Sequence, residues 1–162
     1  MDTIAAIQGP SPYMRGRVHL SIYINGKRLD EWLAEMVRVD YLGLIPAWLP
    51  LYDEHFLPGI KEAAYVRQRL ILSETPVALP VLLCPDDFDF SCTVIVAEVF
   101  CTNDTVVWRR LGTDVTPFDP CEQELPPYIG KQVNWFDGIG PFTFEKAAYA
   151  ACVSRFTEGW LL

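Results

Sequence analysis

Between Cys92 and Leu111, two runs rich in β-branched and aromatic residues flank the polar stretch Thr102-Asn103-Asp104-Thr105. Such residues suit a pleated, half-buried surface and the polar stretch supplies turn chemistry, so this part of the chain predicts an antiparallel hairpin. With Asn103 and Asp104 as a two-residue loop, Thr102 faces Thr105, Trp108 faces Val99 and Glu98 faces Arg109.

The elements around the hairpin follow from periodicity. Val18, Leu20, Ile22 and Ile24 alternate with His19, Ser21 and Tyr23, which predicts a strand with its aliphatics on one face and His19 on the other. Asn25-Gly26 suits positive φ, so Lys27 and Arg28 start a short return strand. Asp30 is placed to cap a helix through about Arg38 that buries Trp32, Leu33, Met36 and Val37. Residues 41–58 hold Pro46, Pro50 and Pro58 among many apolar side chains, which predicts an ordered, packed connection. A second helix runs from about Ile60 to Leu72 with Ile60, Ala63, Ala64, Leu70 and Ile71 inward, and leads into a strand at Ala78 to Cys84. Residues 112–132, with four prolines, read as an extended surface excursion. Val133 to Phe136 is a short strand. Phe144, Ala148, Ala151, Cys152 and Phe156 form a helical stripe behind Thr143 as its cap. The sum is an α+β fold: a mostly antiparallel sheet with a central hairpin at about 92–111 and two to three packed helices, in one domain over residues 1–162.

A chain with 51% hydrophobic and 13% aromatic residues supports a packed core. Met1-Asp2-Thr3 lacks the opening of a signal peptide, and Pro80 interrupts the longest apolar stretch, so the expectation is a cytoplasmic chain with no membrane partner. Five cysteines, an odd number, are then reduced thiols.

The formal net charge of −8 argues against a nucleic-acid partner, because neutralising phosphates takes clustered Lys and Arg. Its distribution is uneven. Residues 85–124 hold nine acids against Arg109 and Arg110, which accounts for seven of the eight net charges.

No catalytic pattern stands out. The cysteines lack the close pairs of a zinc site, and His19 and His55 are not adjacent to any of them in sequence. Asp86, Asp87 and Asp89 lack the glycine turn and closing Glu of a calcium loop. No phosphate loop, dinucleotide fingerprint or serine nucleophile elbow is present. The reading is of a protein without metal or cofactor and not an enzyme. Of the five tryptophans, Trp32 and Trp108 belong to the core, and Trp48 and Trp160 are left as exposed anchors.

The stretches Val18-His19-Leu20-Ser21-Ile22-Tyr23-Ile24-Asn25-Gly26, Asp40-Tyr41-Leu42-Gly43-Leu44-Ile45-Pro46-Ala47-Trp48-Leu49, Val106-Val107-Trp108 and Gly138-Ile139-Gly140-Pro141-Phe142-Thr143-Phe144 together resemble a family of small bacterial proteins of uncharacterised function. In size, acidity and general character the chain also resembles the cytoplasmic immunity proteins that bacteria keep against contact-dependent or type VI secreted toxins. That resemblance implies binding to a cognate protein toxin with a basic surface, whose active surface is occluded. The expected partner-binding residues are Asp86, Asp87, Asp89, Asp114, Asp119, Glu122, Glu124 and Trp48. The alternatives are a small enzyme using a cysteine or carboxylates, and a structural or regulatory interaction protein.

Overall fold

A computed structural model describes residues 1–49, 60–86, 90–117 and 129–158, the side chains of residues 60–62 excepted. Among these residues the fold is α+β, with three helices and two antiparallel sheets of three and six strands. In chain order the elements are β1 (Ile4–Pro10), β2 (Val18–Ile24), β3 (Lys27–Arg28), α1 (Leu29–Met36), a 3₁₀ turn at Val39–Tyr41, β4 (Ile45–Pro46), α2 (Ile60–Leu70), β5 (Val77–Leu83), β6 (Val94–Cys101), β7 (Thr105–Asp114), β8 (Val133–Trp135), β9 (Phe142–Glu145) and α3 (Lys146–Thr157). No helix among the described residues is long and apolar enough to cross a membrane.

The small sheet runs β1-β2-β3. Asn25 (φ 53°) and Gly26 (φ 78°) both take positive φ at its tight turn, as that residue pair favours. β2 is buried on both faces after Val18, because His19 and Ser21 are covered as well as Leu20, Ile22 and Ile24. Ser21 shares a crevice with Leu44, Pro46 and Leu82, so the second sheet's edge covers the face that alternation leaves polar. Val18 itself is exposed.

The large sheet runs β4-β5-β6-β7, and β8 and β9 both pair with the far edge of β7. The hairpin of β6 and β7 has the expected partners from its loop up to Val99↔Trp108, then slips by one, so that Glu98 faces Arg110 instead of Arg109. The extra residue is a β-bulge, which puts two residues of β7 against one of β6. A second bulge lies in β5 between Pro80 and Leu82, where proline has no N–H for the ladder.

The helices start and stop differently from their sequence patterns. Arg28, extended and without a side-chain cap, precedes α1, while Asp30 lies inside the helix with its carboxylate buried against Arg28. Met36 is exposed at the end of α1. α2 buries Ala63, Tyr65 and Val66 and stops at Leu70, which leaves Ala64 and Ile71 exposed. Thr143 and Phe144 belong to β9 and not to a helix cap, so α3 begins at Lys146 and turns Tyr149, Cys152 and Phe156 inward, with Ala151 exposed.

The aromatic centre of the core joins distant elements. Trp48 meets Phe156 edge-on at 5.3 Å and Trp108 at 6.4 Å, and Trp108 meets Phe144 edge-on at 5.5 Å. Each such pair contributes about 0.5–1.5 kcal/mol beyond its burial. The Trp48 indole donates to the Pro80 carbonyl at 2.9 Å, so the polar atom of a fully buried ring is satisfied at the β5 bulge.

Candidate functional site

Trp48 is excluded as an exposed anchor, because it is 0% exposed and packed among Trp108, Tyr149 and Phe156. Pro46 pairs with Leu82 in β4 and the stretch Gly43–Leu49 is buried, which seats the ring in the core; residues 50–58 of the expected packed connection lie outside the described residues. Trp160, Asp87, Asp89, Asp119, Glu122 and Glu124 lie outside the described residues. Asp86 and Asp114 are the two expected carboxylates that the structure describes, and each is held in a different way.

Asp86 is exposed just beyond the end of β5. The Tyr13 hydroxyl donates to its Oδ1 at 3.0 Å and the Cys84 thiol approaches its Oδ2 at 3.9 Å. Tyr13 arrives from the loop between β1 and β2, where Ser11 Oγ accepts from the backbone N–H of Met14 at 3.1 Å. The Tyr13 ring lies on Gly43, whose φ of +96° places it in the region that favours glycine, and a Cβ there would meet the ring at 3.5 Å. From the other side the buried Asp30 carboxylate accepts from Gly43 N at 2.8 Å. A chain of contacts thus runs from Arg28 through Asp30, Gly43 and Tyr13 to Asp86. The hydrogen bond to Asp86, with that carboxylate's charge, raises the Tyr13 hydroxyl above its ordinary pKa.

Tyr13 also brings exposed apolar residues of the turn it packs on into the neighbourhood. Tyr13 is 55% exposed, Leu42 52% and Val39 73%. They are joined through Gly43 and the 3₁₀ turn, in which Leu42 N donates to Val39 O at 3.1 Å. Asp40, exposed on the same turn, is paired with Arg38 at 2.6 Å. Sequence reasoning missed Tyr13, Val39 and Leu42, since nothing in their spacing distinguishes an exposed apolar residue from a core one. The Ser11-Pro12-Tyr13 turn was the available signal, because a large aromatic on a turn is poorly placed for burial.

Asp114, half-buried at the end of β7, closes the base of the segment that follows. Its Oδ1 accepts from Gly130 N at 2.9 Å and from the Thr116 hydroxyl at 2.7 Å, while Thr116 Oγ1 accepts from Gln132 N at 3.0 Å. Val115 N donates to Gln132 O at 2.8 Å across the same base.

Tyr65 of α2 connects the two acidic segments. Its ring meets Phe90 edge-on at 5.6 Å at the end of the segment after β5. Its hydroxyl donates to Ile129 O at 2.9 Å at the end of the segment after β7. Burial, opposed by the nearby Arg69 charge, raises this hydroxyl above its usual pKa. Both segments therefore close against one side chain, although nearly forty residues of sequence separate Phe90 from Ile129.

A groove of about 290 Å³ between α2 and α3 is lined by Leu70, Leu72, Tyr149, Val153, Ser154 and Thr157. The Ser154 and Thr157 hydroxyls donate back to carbonyls of α3, so they do not orient a ligand. His19 is buried, and its Nδ1 donates to Leu20 O at 2.8 Å. Among the described residues, no three His, Cys, Asp or Glu side chains come together as a metal site. No protein-family model, no curated protein and no solved structure matches this chain.

Proposed function

We propose that this protein is a bacterial cytoplasmic binding protein of the immunity type, which neutralises a cognate toxin by covering its active surface. It acts by association and not by catalysis. The observation that carries the reading is the Asp86 surface, where a carboxylate from the stretch that bears most of the net charge is hydrogen-bonded by the exposed aromatic Tyr13. Aromatic side chains surrounded by charge suit protein interfaces, and an acidic face accelerates encounter with a basic partner.

The roles of the acids divide on this reading. Asp86, Asp87, Asp89, Asp119, Glu122 and Glu124 supply the steering charge, and Asp114 serves the loop base. The anchoring of both segments on Tyr65 supports their acting as one surface.

The test begins with capture of partners by the tagged full-length chain. A captured protein must be toxic when expressed alone in a bacterium and harmless when co-expressed with this chain. With that partner purified, Asn and Gln replacements at the six steering positions should slow association about tenfold at low salt, and the difference should vanish well above about 0.15 M. A captured partner without toxicity overturns the immunity reading, and unchanged association rates remove the acidic surface from it.

A further inference from the structure

The β5–β6 ladder ends at Leu83↔Val94, and one residue further Cys84 N still donates to Thr93 O at 3.2 Å. Cys84 therefore faces Thr93 across about one strand spacing, near 5 Å, and Cys92 is the next residue, diagonally about 6 Å away. That is within the Cα separation a disulfide spans, about 4.4–6.8 Å. The Cys84 thiol points to the Asp86 carboxylate at 3.9 Å, and the Cys92 thiol is near enough to raise its pKa. Cys84 is half-buried, Cys92 is exposed and both are free thiols. Cys101 and Cys152, by contrast, are buried within β6 and α3.

We propose that Cys84 and Cys92 are a peroxide-responsive pair that closes a disulfide across the base of the acidic segment. The inference rests on the thiol geometry alone and is independent of any toxin partner. Cys92, open to solvent, meets hydrogen peroxide first. Its thiolate sulfur attacks one peroxide oxygen, the O–O bond breaks, and the departing hydroxide takes a proton to become water. Cys92 is then a sulfenic acid, oxidised by two electrons, and the peroxide is reduced by two. The Cys84 sulfur next attacks the Cys92 sulfur. The S–S bond forms, the S–O bond breaks, and the hydroxyl leaves as a second water with the Cys84 proton. Two thiols and one peroxide thus give one disulfide and two waters.

The order of events fits the surroundings of each thiol. Burial, above all, holds the Cys84 proton in place more firmly than in an ordinary thiol, so the exposed Cys92 is the thiol that meets peroxide first. The reaction also consumes the hydrogen that Cys84 shares with Asp86. Asp86 then keeps Tyr13 as its donor, inside a ring that runs from Cys84 to Cys92 and holds all three aspartates of this segment.

The test treats the folded full-length chain with hydrogen peroxide, followed by alkylation, intact mass measurement and peptide mapping. The expected result is a loss of about 2 Da, a peptide cross-linked through Cys84 and Cys92, and full reversal by dithiothreitol. In Cys92→Ser the cross-link is absent and Cys84 stays open to alkylation after unfolding. In Cys84→Ser, Cys92 accumulates as a sulfenic acid that dimedone traps. Circular dichroism of both variants establishes that they are folded. The proposal is overturned if both thiols of the wild type are still alkylated after peroxide. It is equally overturned if Cys92 proceeds to sulfinic acid in the wild type, or if the bond forms through Cys101, Cys121 or Cys152.

Discussion

Glu98 accepts two hydrogen bonds from Arg110, at 3.1 Å from Nε and 3.3 Å from a terminal nitrogen, although symmetrical counting from the Asn103-Asp104 loop assigns it Arg109. The bulge lets both arginines reach the same carboxylate, with Arg109 at 3.4 Å. Arg110 also lies over the Trp135 ring at 4.1 Å, while Arg109 lies over Phe100 at 5.0 Å. We predict that Arg110→Ala lowers stability by about 1 kcal/mol and Arg109→Ala by less than about 0.5 kcal/mol, read from urea midpoints. A larger loss at Arg109 would restore the symmetrical register.

Asp30 is the carboxylate on which α1 and the Gly43 turn both depend. It is 1% exposed and accepts from Arg28 and from Gly43 N. Replacing it by Asn removes the nearer of Arg28's two carboxylate partners and leaves it Glu31 at 3.3 Å, and we expect a loss of about 2 kcal/mol in chemical denaturation. A change under about 1 kcal/mol would mean that water replaces the carboxylate there.

Asp2 gives stability a dependence on pH. Burial alone would raise its pKa, but hydrogen bonds from the Asn25 side chain and Thr143 N outweigh that and leave it below the ordinary carboxylate value. A depressed folded-state pKa stabilises above the unfolded value, and the contribution is lost as pH falls through the folded one. The group is only partly buried, so solvent screening keeps the effect under about 1 kcal/mol. Wild type should therefore exceed Asp2→Asn in stability at pH 6, and the two should converge as pH falls below 3.8. A gap that stays constant down to pH 2 would place the effect on the neutral hydrogen bonds alone.

Gly112 sits where β7 passes closest to β8. A Cβ there would lie 2.6 Å from both Asn134 O and Val133 Cγ1, and the backbone oxygen cannot move aside cheaply. Gly112→Ala should cost about 1–3 kcal/mol, with a matching fall in the urea midpoint. An unchanged midpoint would show that β8 is free to shift.

What was legible in the sequence follows the range of the interactions involved. The hairpin at Val94 to Asp114 and the strands at Val18 and Val77 carry their β-branched pattern locally, and the Asn25-Gly26 turn has the residues its dihedrals need. β1 was missed because Ala5, Ala6, Gly9 and Pro10 are weak strand residues, and the strand exists through its pairing with β2. β9 was hidden because Phe144 stands four residues before Ala148, a spacing that also reads as helix. The bulge that sends Glu98 to Arg110 leaves no mark in residue types. Trp48 was misplaced because its partners Trp108, Tyr149 and Phe156 are brought to it only by the completed fold. At the candidate site, the acids were visible as charge, but Tyr13 meets Asp86 across 73 positions of sequence, which no local pattern records.

The attachment of β1 to the C-terminal elements governs how the chain emerges from a ribosome. Asp2 N donates to Thr143 O at 2.8 Å, and Arg155 donates to the Ala6 carbonyl at 3.1 Å. At about 5–20 residues per second, roughly ten seconds of synthesis separate the completion of β2 from the arrival of Arg155. During that interval the outer edge of β1 is an open template for any passing strand. The β6–β7 hairpin, made from neighbouring residues, forms without waiting. The β1–β2 hairpin is equally local, so both hairpins form early, and the outer edge of β1 is among the last surfaces to be covered.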